Sequence, residues 1–237
     1  MIKPRPLAGR TAPGAVALAL LLAGGLSGCG AAGTDFHPGV AAQVGDSSIT
    51  VSQVDTVAGD YCSAITSQLQ SNQQVLPLHY LRTGVAGRLT LVAAAKQFAA
   101  EKGVSAGDAY DQKVSQLQGA VASLPTDQQD AVIQIESSGD YISGVEQAVG
   151  KQVLRAAGAP TTKAADAAAA GKKAFSTWLA DQDISIDPQF GLKIEGDQTV
   201  PTDTSISYAL SDTAKNGAAT SPDQSYASSL PSSNRCG

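Results

Sequence analysis

The run from Val40 to Val57, V-A-A-Q-V-G-D-S-S-I-T-V-S-Q-V-D-T-V, constrains the fold more than any other part of the chain. Val40, Ala42 and Val44 alternate with smaller or polar residues, Gly45-Asp46 supplies a turn able to take positive φ, and Ile49 with Val51 resumes an apolar run. That pattern predicts a β-hairpin. Thr50 then opens a helix. Its hydroxyl can accept from the Gln53 amide while the Gln53 side chain reaches back to the Thr50 amide, the reciprocal arrangement of a capping box. Two short strands are marginal alone, so helices and a distant strand must cover them. The expected class is therefore α+β, predominantly α-helical, with a small sheet.

The apolar residues after Thr50 recur at three and four, the period of one helical face. Val51, Val54, Ala58, Tyr61, Cys62, Ile65 and Leu69 mark a first helix that ends near Asn72. Pro77 suits the first turn of a second, carried by Leu78, Leu81, Val85, Leu89 and Val92 to Phe98, with Gly103 as its stop. Ser105 and Asp108 start a third, with Tyr110, Val114, Leu117, Val121 and Leu124 before Pro125. Thr126 and Gln129 form a second capping box, opening a short fourth helix through Val132, Ile133 and Ile135 until Ser137-Ser138-Gly139 breaks the pattern. A fifth helix is expected from Asp140 to Ala157, and a sixth from Thr162 to Asp181, whose alanines have the highest helix propensity in the chain. Aromatic residues make up only 5% of the sequence, so the core must come from Ala, Val, Leu and Ile, which suits close-packed helices.

Past the sixth helix, Ile184-Ser185-Ile186 alternates like a strand and stops at Pro188. The natural partner of this strand is the hairpin at Val40 to Val51, whose exposed edge it would cover. Two segments resemble the SurA/PrsA type of exported folding factors. V-G-D-S-S-I-T-V-S-Q-V is similar to the family's opening, where a short turn and "I-T" precede the first long helix. Pro188-Gln189-Phe190-Gly191 stands where actinobacterial lipoproteins of the group carry a Pro-Arg-Tyr-Gly type turn, from which it departs at the Arg-Tyr pair. The two elements bracket residues 40–191 as one domain. Residues 192–237 read as a low-complexity tail, expected to be mostly disordered from Asp197 on, where Ser, Thr, Asp, Pro, Asn and Gly dominate.

The amino terminus carries an export signal. Lys3, Arg5 and Arg10 precede the apolar run Ala15 to Ala23, which is too short to span a bilayer and suits a signal-peptide core. Leu26-Ser27-Gly28-Cys29 resembles the bacterial lipobox, in which the cysteine thiol receives diacylglycerol before cleavage; the alternative is an ordinary secretory signal with an incidental cysteine. On this reading residues 1–28 are the signal peptide, Cys29 is the lipidated first residue, residues 29–39 are a tether, and the protein sits on the extracytoplasmic face of the bacterial cell membrane. Gly30 to Gly39 extends to roughly 35 Å at most, which keeps the domain near that surface. Loss of the signal leaves 13 basic against 21 acidic residues. This acidic balance argues against nucleic-acid binding and against electrostatic adhesion to an anionic membrane.

With Cys29 lipidated, Cys62 and Cys236 are two thiols in a compartment where disulfides form, each the other's one intramolecular partner. A Cys62–Cys236 disulfide is expected, against the alternative of a buried free Cys62 and a frayed tail. His37 and His79 are the two histidines and read as solvated; they make no zinc set, and no cofactor or metal is expected. No serine lies in a G-x-S-x-G elbow, and no Walker loop or G-x-G-x-x-G follows a strand. The isomerase members of the resembled family insert a parvulin domain of roughly a hundred residues, for which this chain has no room, so the resemblance implies the peptide-binding part alone. Val114, Leu117, Val132 and Ile133 could line a groove for client segments or could simply pack in the core. The expectation is a non-enzymatic, membrane-anchored chaperone-like lipoprotein that binds unfolded or nascent exported proteins. The alternative is an adaptor lipoprotein binding a folded cell-envelope partner.

Overall fold

Thr50 ends one strand and starts the first helix, and the rest of the fold is laid on that junction. The computed structural model describes residues 38–159, 163–202, 208–221 and 223–237, and residues 37–237 form one compact unit. Cys29, His37 and nearly all of the expected signal and tether lie outside the described residues. Strands β1 (Val40–Val44) and β2 (Ser47–Thr50) pair as an antiparallel hairpin, with Gly45 at φ +51° in the turn. Helix α1 (Val51–Ser71) follows at once, and the Gln53 amide donates to Thr50 Oγ1 at 3.0 Å, the cap expected there.

A two-residue strand, β3 (Leu76–Pro77), leads into the long helix α2 (Leu78–Lys102), which stops at Gly103 in the left-handed region. Helices α3 (Asp108–Ala120), α4 (Thr126–Glu136), α5 (Ser138–Ala156) and α6 (Ala164–Ala180) follow. The second capping box does not form. Pro125 occupies the cap position, where it has no side-chain acceptor to offer, and Gln129 turns back to donate to the Leu124 carbonyl at 2.7 Å. Nor does Ser137-Ser138-Gly139 separate two helices widely. Ser137 alone divides α4 from α5, its hydroxyl donating to the Ile133 carbonyl at 2.6 Å and so serving as the joint.

Strand β4 (Ile184–Ile186) pairs antiparallel with β1, setting Ile186 opposite Ala42 and Ile184 opposite Val44 in a three-stranded sheet of order β2-β1-β4. The two ends of the helical array thus close on one another. Asp187 accepts from the Gln189 amide at 2.9 Å to start the turn Pro188–Phe190, whose Phe190 ring is buried beside Ala42, Val54 and Val85.

The fold does not end at Gly191, which corrects the boundary read from composition. Strands β5 (Leu192–Glu195) and β6 (Gln198–Pro201) form a hairpin over α2, close enough that a Cβ on Gly87 would lie 2.7 Å from Thr199 Oγ1. The expected disorder also gives way to short ordered elements: α7 (Asp212–Gly217), α8 (Gln224–Ser229) and β7 (Arg235–Cys236). Their side-chain caps, Ser211 to the Ala214 amide and Asp223 to the Tyr226 amide, let polar residues build helical turns with little apolar burial.

The densest core lies between α2, α5 and α6. Phe98 and Phe175 are fully buried with ring centroids 5.2 Å apart, and Trp178 completes the cluster while its indole donates to Glu101 Oε2 at 2.7 Å. Helices α5 and α6 meet backbone to backbone. A Cβ on Gly171 would lie 1.7 Å from the Glu146 carbonyl oxygen, and one on Gly150 would lie 1.8 Å from that of Ala167. The small residues of α6 therefore serve close approach as well as helix propensity.

Candidate functional site

The apolar face of α1 is wider than one partner helix can cover. Val54 and Ala58 are buried against α2 and the hairpin, whereas Tyr61 and Ile65, one and two turns further on, are only half-buried. Two adjoining clefts open there. The first, about 390 Å³, lies between α1, α3 and α4 and is lined by Ile65, Leu69, Leu117 and Val132 together with Gln68 and Gln74. The second, about 330 Å³, lies between α1, α2 and α4, with Leu76, Leu81, Val85 and Ile135 on its apolar walls. Tyr61, Ile65 and Glu136 line both.

The ridge between the clefts is polar. The Tyr61 hydroxyl donates to Glu136 Oε1, and the guanidinium of Arg88, in the wall of the second cleft, donates to Ser138 Oγ at 3.3 Å. Burial raises the Tyr61 hydroxyl above its ordinary pKa. The bond to Glu136 and that carboxylate's charge act in the same direction, against an opposing contribution from Arg88. The phenol consequently stays protonated at physiological pH and acts as a fixed donor. An arrangement of apolar walls around a polar bridge can hold apolar side chains and orient a peptide group.

Two of the four residues predicted for a groove meet in the first cleft: Leu117 from α3 and Val132 from α4, the latter 8% exposed. Val114 and Ile133 are half-buried and do not line it. Tyr61, Ile65, Leu69 and Glu136 were not singled out by sequence reasoning, although the first three sit on the α1 stripe. The missing signal is the distance between α1 and α3, which no periodicity carries.

Cys62 follows Tyr61 on α1 and is joined to Cys236, with a Cα separation of 5.6 Å. Cys236 belongs to β7, which pairs antiparallel with β3, whose Leu76 lines the second cleft. His79 is exposed at the start of α2, and among the described residues no three His, Cys, Asp or Glu side chains come together as a metal site. No described helix is long and apolar enough to cross a membrane.

A third hollow, of about 440 Å³, lies between α6, β4 and β5 and contains none of the residues predicted for a groove. Glu146 on α5 is buried, with Oε1 unpartnered. Burial, reinforced by Asp197 and opposed by Lys172, pushes its pKa up to about 7. Lys172 and Asp197 themselves pair at 2.9 Å, tying α6 to the turn between β5 and β6.

Comparison with protein-family models, with curated proteins and with solved structures finds no match for this chain. The resemblance to the SurA/PrsA type accordingly rests on the two short segments at Val44 to Val54 and Pro188 to Gly191.

Proposed function

We propose that this protein is a lipid-anchored, non-enzymatic chaperone on the extracytoplasmic face of the cell membrane, holding unfolded exported chains by their apolar segments. The observation that supports this reading is the pair of adjoining clefts on either side of the Tyr61–Glu136 bridge, large enough for several apolar side chains and open to solvent. Concave apolar surface suits extended or partly collapsed segments better than the flat patch an adaptor would offer. The membrane part rests on the order of basic residues, apolar run and Leu26-Ser27-Gly28-Cys29.

The soluble chain from Gly30 to Gly237 is expected to delay aggregation of unfolded model proteins at near-stoichiometric amounts, because bound apolar segments no longer associate with one another. It should leave the rate of prolyl isomerisation unchanged. No delay for several unrelated clients, with tight binding to one folded envelope protein, would replace this reading by the adaptor; isomerase turnover above the uncatalysed rate would make it an enzyme. In cells, Cys29→Ala should release the protein from membranes or leave it as precursor, and normal processing with retained anchoring would refute lipidation.

A further inference from the structure

Gly84 has no role that the fold itself explains. It stands inside α2, where glycine weakens a helix relative to alanine, its φ is not in the left-handed region, and a Cβ there would meet nothing within 4 Å. Gly87, three residues on, is different, because the β5–β6 hairpin presses on it. What Gly84 does is line the second cleft. With Leu81, Val85 and Arg88 it forms the α2 wall of that cleft, a face spaced at three and four. From Leu81 to Arg88 the helix rises roughly 10 Å, the length of about three extended residues.

The two ends of this wall differ in chemistry. At one end Leu81 is joined by Leu76 and by Tyr80, whose ring is 39% exposed. At the other end stands the guanidinium of Arg88. Its Nη1 donates to Ser138 Oγ at 3.3 Å, and a Cβ on Gly139 would lie 3.5 Å from that nitrogen, so the group is set against the joint between α4 and α5. Among the described residues Arg88 makes no ion pair: Glu136, the one carboxylate in the cleft wall, takes the Tyr61 hydroxyl instead. The bond to Ser138 uses one of five N–H donors, and the planar fork that remains matches a carboxylate.

We propose that the second cleft is a site for a short extended stretch of polypeptide, with apolar side chains lying over Gly84 and the side-chain carboxylate of a neighbouring Asp or Glu bonded to Arg88. The proposal rests on the peptide-holding reading above and adds to it the class of segment held. An internal acidic residue, rather than a chain end, supplies the carboxylate, because an unfolded client offers many internal segments and a single C terminus. Glycine at position 84 leaves the space that the apolar side chains fill, and the charge on Arg88 selects among apolar segments that would otherwise bind alike.

The test uses the soluble chain from Gly30 to Gly237 and three fluorescent peptides. The first, capped at both ends, has the core Glu-Val-Leu-Phe-Glu; the second has Gln in place of both Glu; the third is Gln-Val-Leu-Phe with a free C-terminal carboxylate. The first should bind about three-fold or more tightly than the second, the preference of one exposed charged pair, and the difference should shrink with added salt. The chain from Gly30 has 13 basic against 21 acidic residues, so a non-specific charge effect would run the other way. Arg88→Gln should abolish the preference and Arg88→Lys keep part of it. Gly84→Leu, whose side chain enters the cleft, should weaken both capped peptides by at least about ten-fold without lowering the unfolding midpoint. No binding of any peptide, equal binding of the first two, a preference that survives Arg88→Gln, or unchanged binding by Gly84→Leu would each overturn the proposal. Tightest binding of the third peptide would overturn it in favour of chain ends, and these comparisons on the unsubstituted protein need no variant to fold. Aggregation assays on the same proteins separate the two readings. A preference for the first peptide without aggregation delay would retain the site and discard the chaperone, whereas equal delay by all the proteins with no peptide preference would do the reverse.

Discussion

Helices α5 and α6 approach until their backbones touch at Gly150 and Gly171, whereas α3 lies against the body with none of its residues buried. At the α5–α6 end, glycine and alanine remove the side-chain layer and three aromatic rings fill what remains. At the α1–α3–α4 end, branched side chains such as Ile65, Leu117 and Val132 keep the helices apart without filling the gap. Close packing gives stability and leaves no room for a ligand; looser packing leaves room at the cost of dispersion contacts. If the clefts hold clients as proposed, substitutions in the two regions should separate stability from binding.

The largest expected effect is at the dense end. Phe175→Ala removes a ring with no exposed surface and should cost about 3–5 kcal/mol in denaturant unfolding, with the holding of clients unchanged at temperatures where the variant stays folded. A loss under 1 kcal/mol, by the same measure, would mean the two ends are not so different.

Glu146 gives a pH-dependent version of the same contrast. Its pKa rises from the ordinary 4.5 to about 7 on folding, chiefly through burial. Below about 4.5 both states are protonated and the group costs nothing. Between 4.5 and 7 the unfolded chain releases its proton while the fold retains it, so stability falls as pH rises and levels off above about 7. Glu146→Gln should therefore gain on the order of 2 kcal/mol at pH 8 and little at pH 4. Melting curves at both pH values check the sign, and a gain confined to acid would contradict it.

At the open end the order of effects reverses. Leu117→Ala should cost under about 1 kcal/mol in stability, as for a half-buried side chain with few neighbours, yet weaken the delay of aggregation several-fold. The smallest effect belongs to the turn that follows α1. Gln73→Gly relieves a left-handed residue at φ +54° and should gain about 0.5 kcal/mol, readable in the unfolding midpoint.

The contrast also explains which features could be read from residues alone. The hairpin, the Thr50 cap, the helix stripes and the pairing of Ile184–Ile186 with β1 follow from local periodicity and from an edge that needed covering. Strands β5 and β6 were hidden because Lys193, Glu195 and Gln198 make the segment look polar, although Leu192 and Ile194 alternate and Gly196 sits in the turn at φ +64°. Gly87, inside α2, is the place where that hairpin docks. The clefts had no local signature, since their size is set by how far helices distant in sequence stand apart. Only Leu117 and Val132 of the four predicted residues proved to share one.

Site-specific photo-cross-linking tests the central claim most directly. A benzophenone amino acid placed at Leu117, in the first cleft, or at Val153, exposed at 42% on α5, would be irradiated with an unfolded exported client. The account predicts client adducts at position 117 that a competing apolar peptide removes, and none above background at 153. Adducts of equal yield at both positions, or at 153 alone, would contradict it.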